Sequence, residues 1–287
     1  FISPAIALFL GLALGMTAGQ PFPKFSKKTS KYLLQFSVVG LGFGMNLHES
    51  LRTGKEGMLF TVVSVVAVLA LGMYLGKRLM MDRKTAYLIS AGTAICGGSA
   101  IAAVAPVVKD NDNEMSMSLG TIFILNAIAL FIFPPIGHLL GMSQEQFGMW
   151  AAIAIHDTSS VVGAGAAYGE QALEIATMVK LTRALWIIPV TIATMFIFKQ
   201  KGAKISIPWF IFFFILAMVA NTFLTIPETI TGSLVWLAKK GLTVTLFLIG
   251  AGLSRKVIKQ VGVRPMVQGV VLWIFIGLIS LGVIMLV

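Results

Sequence analysis

The chain is poor in charge, in cysteine and in polar connecting segments. Only 11% of its 287 residues are Asp, Glu, Lys or Arg, and acidic residues number half the basic ones, 11 against 22. The single cysteine, Cys96, excludes an internal disulfide and any CxxC metal site. No link between apolar stretches is long enough for a soluble domain. The run Asp110-Asn111-Asp112-Asn113-Glu114 lacks the glycine and distal glutamate of a calcium loop and reads as a solvated link.

Hydrophobic residues make up 57% of the chain. They fall in stretches of about 17 to 25 residues, the length that crosses a bilayer. Segments are expected near 2–19, 30–47, 57–79, 86–108, 115–141, 147–169, 173–198, 206–224, 241–254 and 264–287. Turn signals such as Gln20-Pro21-Phe22-Pro23 and Ile226-Pro227-Glu228 separate them. Within a bilayer each backbone N–H and C=O must be paired inside the segment, which selects helices, and the runs lack the alternation of a barrel strand. An all-α polytopic membrane protein follows. The first segment has no basic stretch before it and no polar mature domain after it, so it is not expected to be a cleaved signal.

The net charge of +11 would suit nucleic acid, but its placement does not. Fifteen of the 22 basic residues cluster at Lys24, Lys27, Lys28 and Lys31; Lys77, Arg78, Arg83 and Lys84; Lys199, Lys201 and Lys204; and Arg255, Lys256, Lys259 and Arg264. Clustering on alternate links is the positive-inside pattern, which makes these links cytoplasmic and the partner a lipid bilayer.

Two internal similarities suggest a duplicated architecture. A shift of 208 places Gly42, Gly44, Gly54 and Met58 on Gly250, Gly252, Gly262 and Met266. A shift of 60 places Ala91, Ala94, Ile95 and Ser99 on Ala151, Ala154, Ile155 and Ser159. Segments entering from opposite sides would make this an inverted repeat, the plan of many secondary transporters. The expected halves are 1–141 and 142–287, with core elements over 86–198 and scaffold elements over 1–79 and 206–287. The two central segments carry helix-unfriendly middles at Gly97-Gly98-Ser99 and Asp157-Thr158-Ser159-Ser160, read as broken helices. Re-entrant hairpins preserve the two-fold, whereas two full crossings would run parallel and break it.

The chemistry concentrates at those breaks. Half-helix N-termini offer unpaired N–H groups and a positive dipole end, and small residues such as Ser99, Ala100, Ser159 and Ser160 allow close approach of an anion. Lys180 and Arg183, one turn apart in the next segment, add cationic partners. Aligning Pro135 with Pro189 sets Asn126 opposite Lys180 as a neutral polar group. Asp157 offsets one of the two cations, and His156 beside it forms a candidate coupling or gating pair. Plainer roles exist for each: Lys and Arg can snorkel, His156 can be a packing group, and Gly163 to Ala167 can be a close helix contact.

The stretches Ser90 to Ile101, Pro106 to Lys109, His156-Asp157 with its Gly-Ala tail, and Val179-Lys180-Leu181-Thr182-Arg183 resemble the YeiH-type family, catalogued as sulfate exporters. The resemblance extends over the chain, including Ile207-Pro208-Trp209-Phe210. It implies a secondary carrier of the bacterial inner membrane, one helix longer at the N-terminus. Ser160 stands where glutamine is common in that family and Asp157 where glutamate is, and both departures lie at the proposed site, which leaves room for a substrate other than sulfate.

The reading is therefore a non-enzymatic carrier of a small anion, such as sulfate, another sulfur oxyanion or an organosulfonate, moving like an elevator. No cofactor, metal or nucleic acid is expected; sodium or proton coupling and a homodimer are left open. A sodium- or proton-coupled symporter of a carboxylate or bicarbonate is the alternative. An intramembrane serine hydrolase is the remote one, because His156, Ser159 and Ser160 crowd one short break without a separate oriented base.

Overall fold

The computed structural model describes residues 4–17, 19, 22–48, 58–109, 112–198, 209–224, 226–252 and 261–286. Gly54, Gln20-Pro21, Asp110-Asn111, Ile207-Pro208 and the basic residues at 199–204 and 255–259 lie outside them. The described residues form helices α1 (Pro4–Thr17), α2 (Pro23–Gly42), α3 (Met58–Arg78), α4 (Arg83–Ala94), α5 (Gly98–Val108), α6 (Asp112–Leu139), α7 (Gln144–Ala154), α8 (Thr158–Tyr168), α9 (Glu170–Ala184), α10 (Ile187–Ile197), α11 (Trp209–Phe223), α12 (Glu228–Gly252) and α13 (Val263–Leu286). Among the described residues, five spans are long and apolar enough to cross a membrane: Phe60–Arg78, Glu114–Leu139, Glu170–Ile197, Glu228–Gly252 and Val263–Leu286. The all-α polytopic class follows directly.

The two segments read as broken are helical hairpins. In the first, α4 is capped by Asp82, whose carboxylate accepts from Lys84 N at 2.8 Å, and it returns through α5. Lys84 Nζ donates to Lys109 O at 2.8 Å, so the start of α4 and the end of α5 lie side by side. In the second, Ser143 and Gln146 form a capping box at the start of α7. Its foot is tied to the end of α8 and the start of α9: Tyr168 Oη donates to Met142 O at 2.6 Å, Phe147 stacks on Tyr168 at 3.8 Å, and Gln144 Oε1 accepts from Gln171 N at 3.0 Å.

The continuous pair α9–α10 fixes how the hairpins face each other. Its N-terminal end lies at the feet of the second hairpin. Its C-terminal end lies at the feet of the first, where Tyr87 Oη meets Thr194 Oγ1 at 2.7 Å and the Arg83 guanidinium sits 5.1 Å over the Phe198 ring. The hairpins thus approach from opposite ends and their tips meet halfway; a Cβ on Gly97 would lie 3.1 Å from Asp157 Cα. Helix α6 runs alongside from the first pair of feet to the second, where His138 stacks on Tyr168 at 4.2 Å.

The remaining helices fall into two groups by packing. Helix α12 lies between α1 and α2, and α2 also packs on α11. Small residues permit this closeness: a Cβ on Gly11 would collide with Phe247 O, and one on Gly250 with Leu8 O. Helices α3 and α13 pack instead on the hairpins. Gln268 Nε2 donates to Gly72 O at 2.9 Å and Ala86 O at 3.0 Å, joining α13, α3 and α4, while Trp150 Nε1 reaches Gly277 O at 3.0 Å.

Three elements differ from the sequence reading. The segment expected at 30–47 is α2, which starts at Pro23, a residue suited to a helix's first turn, and ends at Gly42. The segment expected at 241–254 begins at Glu228, because its polar first half is helical: Ser233 Oγ donates back to Thr229 O at 2.6 Å and Thr231 Oγ1 to Glu228 O at 3.3 Å, so these two hydroxyls need no outside partner. The segment expected at 173–198 has a joint after Arg183. There Trp186 N bonds Arg183 O at 3.0 Å, and Pro189, which has no N–H, stands in the first turn of α10.

Candidate functional site

At the first tip, α4 ends as the chain turns through residues 95–97, with Gly97 N donating to Gly92 O at 2.8 Å. Gly97 has φ +66° and ψ −126°, a conformation that side chains disfavour, and it is the residue that touches the Asp157 backbone. Helix α5, of 11 residues, then starts after Gly97 with no side-chain cap; the Ala100 N–H faces the Cys96 sulfur, which leaves the N–H groups of Gly98 and Ser99 at the tip. Ser99 is exposed there, whereas Ala100 and Cys96 are buried. Gly98, read as part of the break, is the first residue of α5.

The second tip is organised by α6. Asn126 Oδ1 accepts from His156 N at 3.0 Å and Asp157 N at 3.1 Å, holding the turn between α7 and α8. Asp157 caps α8: its Oδ2 accepts from Ser159 N at 3.0 Å and from the Ser159 hydroxyl. Helix α8 therefore has a carboxylate of its own at its positive end, and α5 does not. Thr158 is the first residue of α8 rather than part of the break. Thr158, Ser159 and Ser160 are all buried. His156 is completely buried, and neither ring nitrogen has a hydrogen-bond partner among the described residues. Its imidazole is thus bonded to neither Asp157, Ser159 nor Ser160, and the Ser–His contact a hydrolase would need is not formed.

Both predicted cations reach the tips from α9, and both are fully buried. Lys180 Nζ donates to Ile155 O at 2.7 Å and Ala152 O at 3.2 Å, at the negative end of α7. Arg183 Nε donates to Ala94 O at 2.8 Å, at the negative end of α4. Each cation thus stabilises the carbonyl end of a half-helix, a role that charge counting in the sequence had not suggested. The two differ in what is left over. Most of the Lys180 ammonium is used, but both terminal nitrogens of Arg183 lack a hydrogen-bond partner among the described residues, as does Asn126 Nδ2. Leaving buried charged donors unpaired costs upward of about 1–3 kcal/mol each.

The structure therefore brings Asn126, His156, Asp157, Ser159, Lys180 and Arg183 around two meeting tips, with Ser99 on an open flank. The cavity of about 450 Å³ lies elsewhere, between α2, α9 and α12, and none of the predicted site residues lines it. Two supporting groups escaped the sequence reading: the joint at residues 185–186, for which Pro189 was the available signal, and Gln268, a lone amide within the apolar α13.

The chain is 64% identical over 287 residues to a UPF0324 membrane protein of Bacteroides thetaiotaomicron, covering 99% of this chain and 87% of that one. It is 56% identical over 292 residues to a UPF0324 membrane protein of Porphyromonas gingivalis, covering 100% and 88%, and 50% identical to one of Geobacter sulfurreducens, covering 98% and 90%. No solved structure matches it. In agreement with the YeiH-type resemblance of its motifs, the chain belongs to the membrane-protein family described as Conserved hypothetical protein 698, whose model matches residues 1–269.

Proposed function

We propose that this protein is a secondary carrier of a small anion, bound where the two hairpin tips meet. The Arg183 guanidinium carries the reading: it is fully buried, and both terminal nitrogens lack an acceptor among the described residues. Two buried cations face one carboxylate, Asp157, so the protein leaves about one positive charge to be balanced. The remaining groups at the tips are chiefly donors, namely Asn126 Nδ2, the uncapped start of α5 and the Ser99 hydroxyl, and they suit an anion with several acceptor oxygens. Ala100 and Ser160 allow close approach, and Lys180 acts through the α7 carbonyls it holds. His156 and Asp157 serve coupling or gating.

Hairpins approaching from opposite ends support an inverted repeat with halves 1–141 and 142–287, and alternating access by an elevator-like movement. The sequence reading set 1–79 and 206–287 as scaffold; we move α3 and α13 from it to the core, because Gln268 and Trp150 tie them to the hairpins. The basic links set the orientation in a bacterial inner membrane, and the substrates in view are sulfate, other sulfur oxyanions and organosulfonates. Proteoliposomes containing the purified protein should exchange radiolabelled sulfate, thiosulfate or taurine, with and without sodium. Exchange of none of these, with bicarbonate or a carboxylate taken up only with sodium or a proton gradient, would favour the symporter instead.

A further inference from the structure

Matching faces of the two hairpins differ in burial. Ser99 and Ala102 on α5 are exposed, whereas Ser159 and Val162, their counterparts under the shift of 60, are 1% and 0% exposed. The difference arises from what covers them. Helix α8 packs on α12 and α1, and Val162 lies in a cluster with Leu41, Leu173, Ala238 and Leu242. Helix α5 packs mainly on α4, α6 and α10. A serine hydroxyl at that depth is poorly suited to lipid, so an open α5 flank fits a watered route better than a bilayer contact.

The cavity of about 450 Å³ stands directly above that cluster, since Leu41 and Leu173 belong to both. Its walls carry Glu170, Glu228 and Lys239, and the Lys239 ammonium pairs with Glu170, joining α12 to α9. The cavity thus lies toward the end bearing the feet of the second hairpin. The bare flank of α5 leads to the opposite end, marked by Arg78, Arg83, Lys84 and Arg264.

We propose that the apolar contact of Val162 and Leu173 with Leu41, Ala238 and Leu242, latched by the Glu170–Lys239 ion pair, is the outer gate of the carrier, closed in this structure while the Ser99–Ala102 flank is open to the cytoplasmic end. This rests on the carrier reading above. The components suit a contact that must break: the cluster is small, and an exposed ion pair holds weakly and reversibly. In the opposite state the Ser99–Ala102 face docks on the frame of α1, α2, α11 and α12, and Val162 is uncovered.

The test uses the whole protein with Cys96→Ser, carrying one new cysteine at either Ala102 or Val162, in vesicles of known orientation with an impermeant maleimide. Ala102→Cys is expected to react from the cytoplasmic side, and Val162→Cys only slowly from the outer side. Adding Glu170→Gln or Lys239→Met should raise outer labelling of Val162→Cys roughly threefold, the change an exposed ion pair supports. The charge-reversed pair Glu170→Lys with Lys239→Glu should return it to the parent rate. Val162→Cys labelling that is unaffected by the ion pair, or absent in every variant, would overturn the gate, as would Ala102→Cys reacting only from outside. Anion binding is measured separately, so its absence alongside the expected labelling would reject the substrate reading and leave the gate standing.

Discussion

Lys180 and Arg183 look equivalent in the sequence, two cations one turn apart in an apolar segment, yet the structure predicts different consequences for removing them. Lys180 holds Ala152 O and Ile155 O. Lys180→Met leaves both carbonyls buried without that donor and should destabilise the protein by about 2 kcal/mol, read as a lower Tm in detergent. Arg183→Met loses one carbonyl contact and also removes donors that have no acceptor among the described residues, so its stability should stay close to the parent. Equal Tm losses would show that Arg183 is held by the fold as firmly as Lys180. Asn126 offers a third comparison. Asn126→Leu removes the acceptor of two backbone N–H groups and should cost more stability than Asn126→Asp, which keeps an acceptor oxygen at the second tip. The presence of these residues was legible because polar groups are rare in apolar runs. Their partners were not, because the carbonyls they meet belong to other elements and leave no mark in the side-chain pattern.

The hairpins were partly legible as elements. Gly97-Gly98 and Asp157 announced breaks, and small residues on both sides announced close packing. The turn itself depends on Gly97: a side chain there meets both the disfavoured φ and the Asp157 backbone at 3.1 Å. Gly97→Ala should therefore cost about 1–3 kcal/mol and disturb both tips, while Gly232→Ala, with open space around its Cβ, should not lower Tm. Topology provides a second test. With hairpins, single cysteines replacing Met80 and Glu114 lie on one side of the membrane, and those replacing Glu145 and Glu228 on the other. Labelling positions 80 and 114 from opposite sides would mean that residues 83–108 cross the membrane completely. The first half of α12 was misread for a physical reason: Thr231, Gly232 and Lys239 face a cavity, and polarity toward a cavity reads in sequence like polarity toward solvent.

For the whole molecule, packing separates a bundle of hairpins, α3, α6, α9, α10 and α13 from a group of α1, α2, α11 and α12. Composition and the positive-inside pattern were sufficient for the membrane class. The sequence reading grouped α3 and α13 with the scaffold by their place toward the ends of the chain, and it gave no sign of bonds such as Gln268 to Gly72 O and Trp150 to Gly277 O that join them to the hairpins. The central claim, a small anion held by Arg183 between the tips, is tested most directly by equilibrium binding to purified protein. Sulfate, sulfite, thiosulfate, taurine and bicarbonate would be titrated in turn against the parent and Arg183→Met. At least one anion should bind the parent, with affinity lowered at least tenfold in Arg183→Met, as expected for loss of about 1.5–3 kcal/mol from charged hydrogen bonds. Binding of that anion with unchanged affinity by a folded Arg183→Met protein would contradict the account.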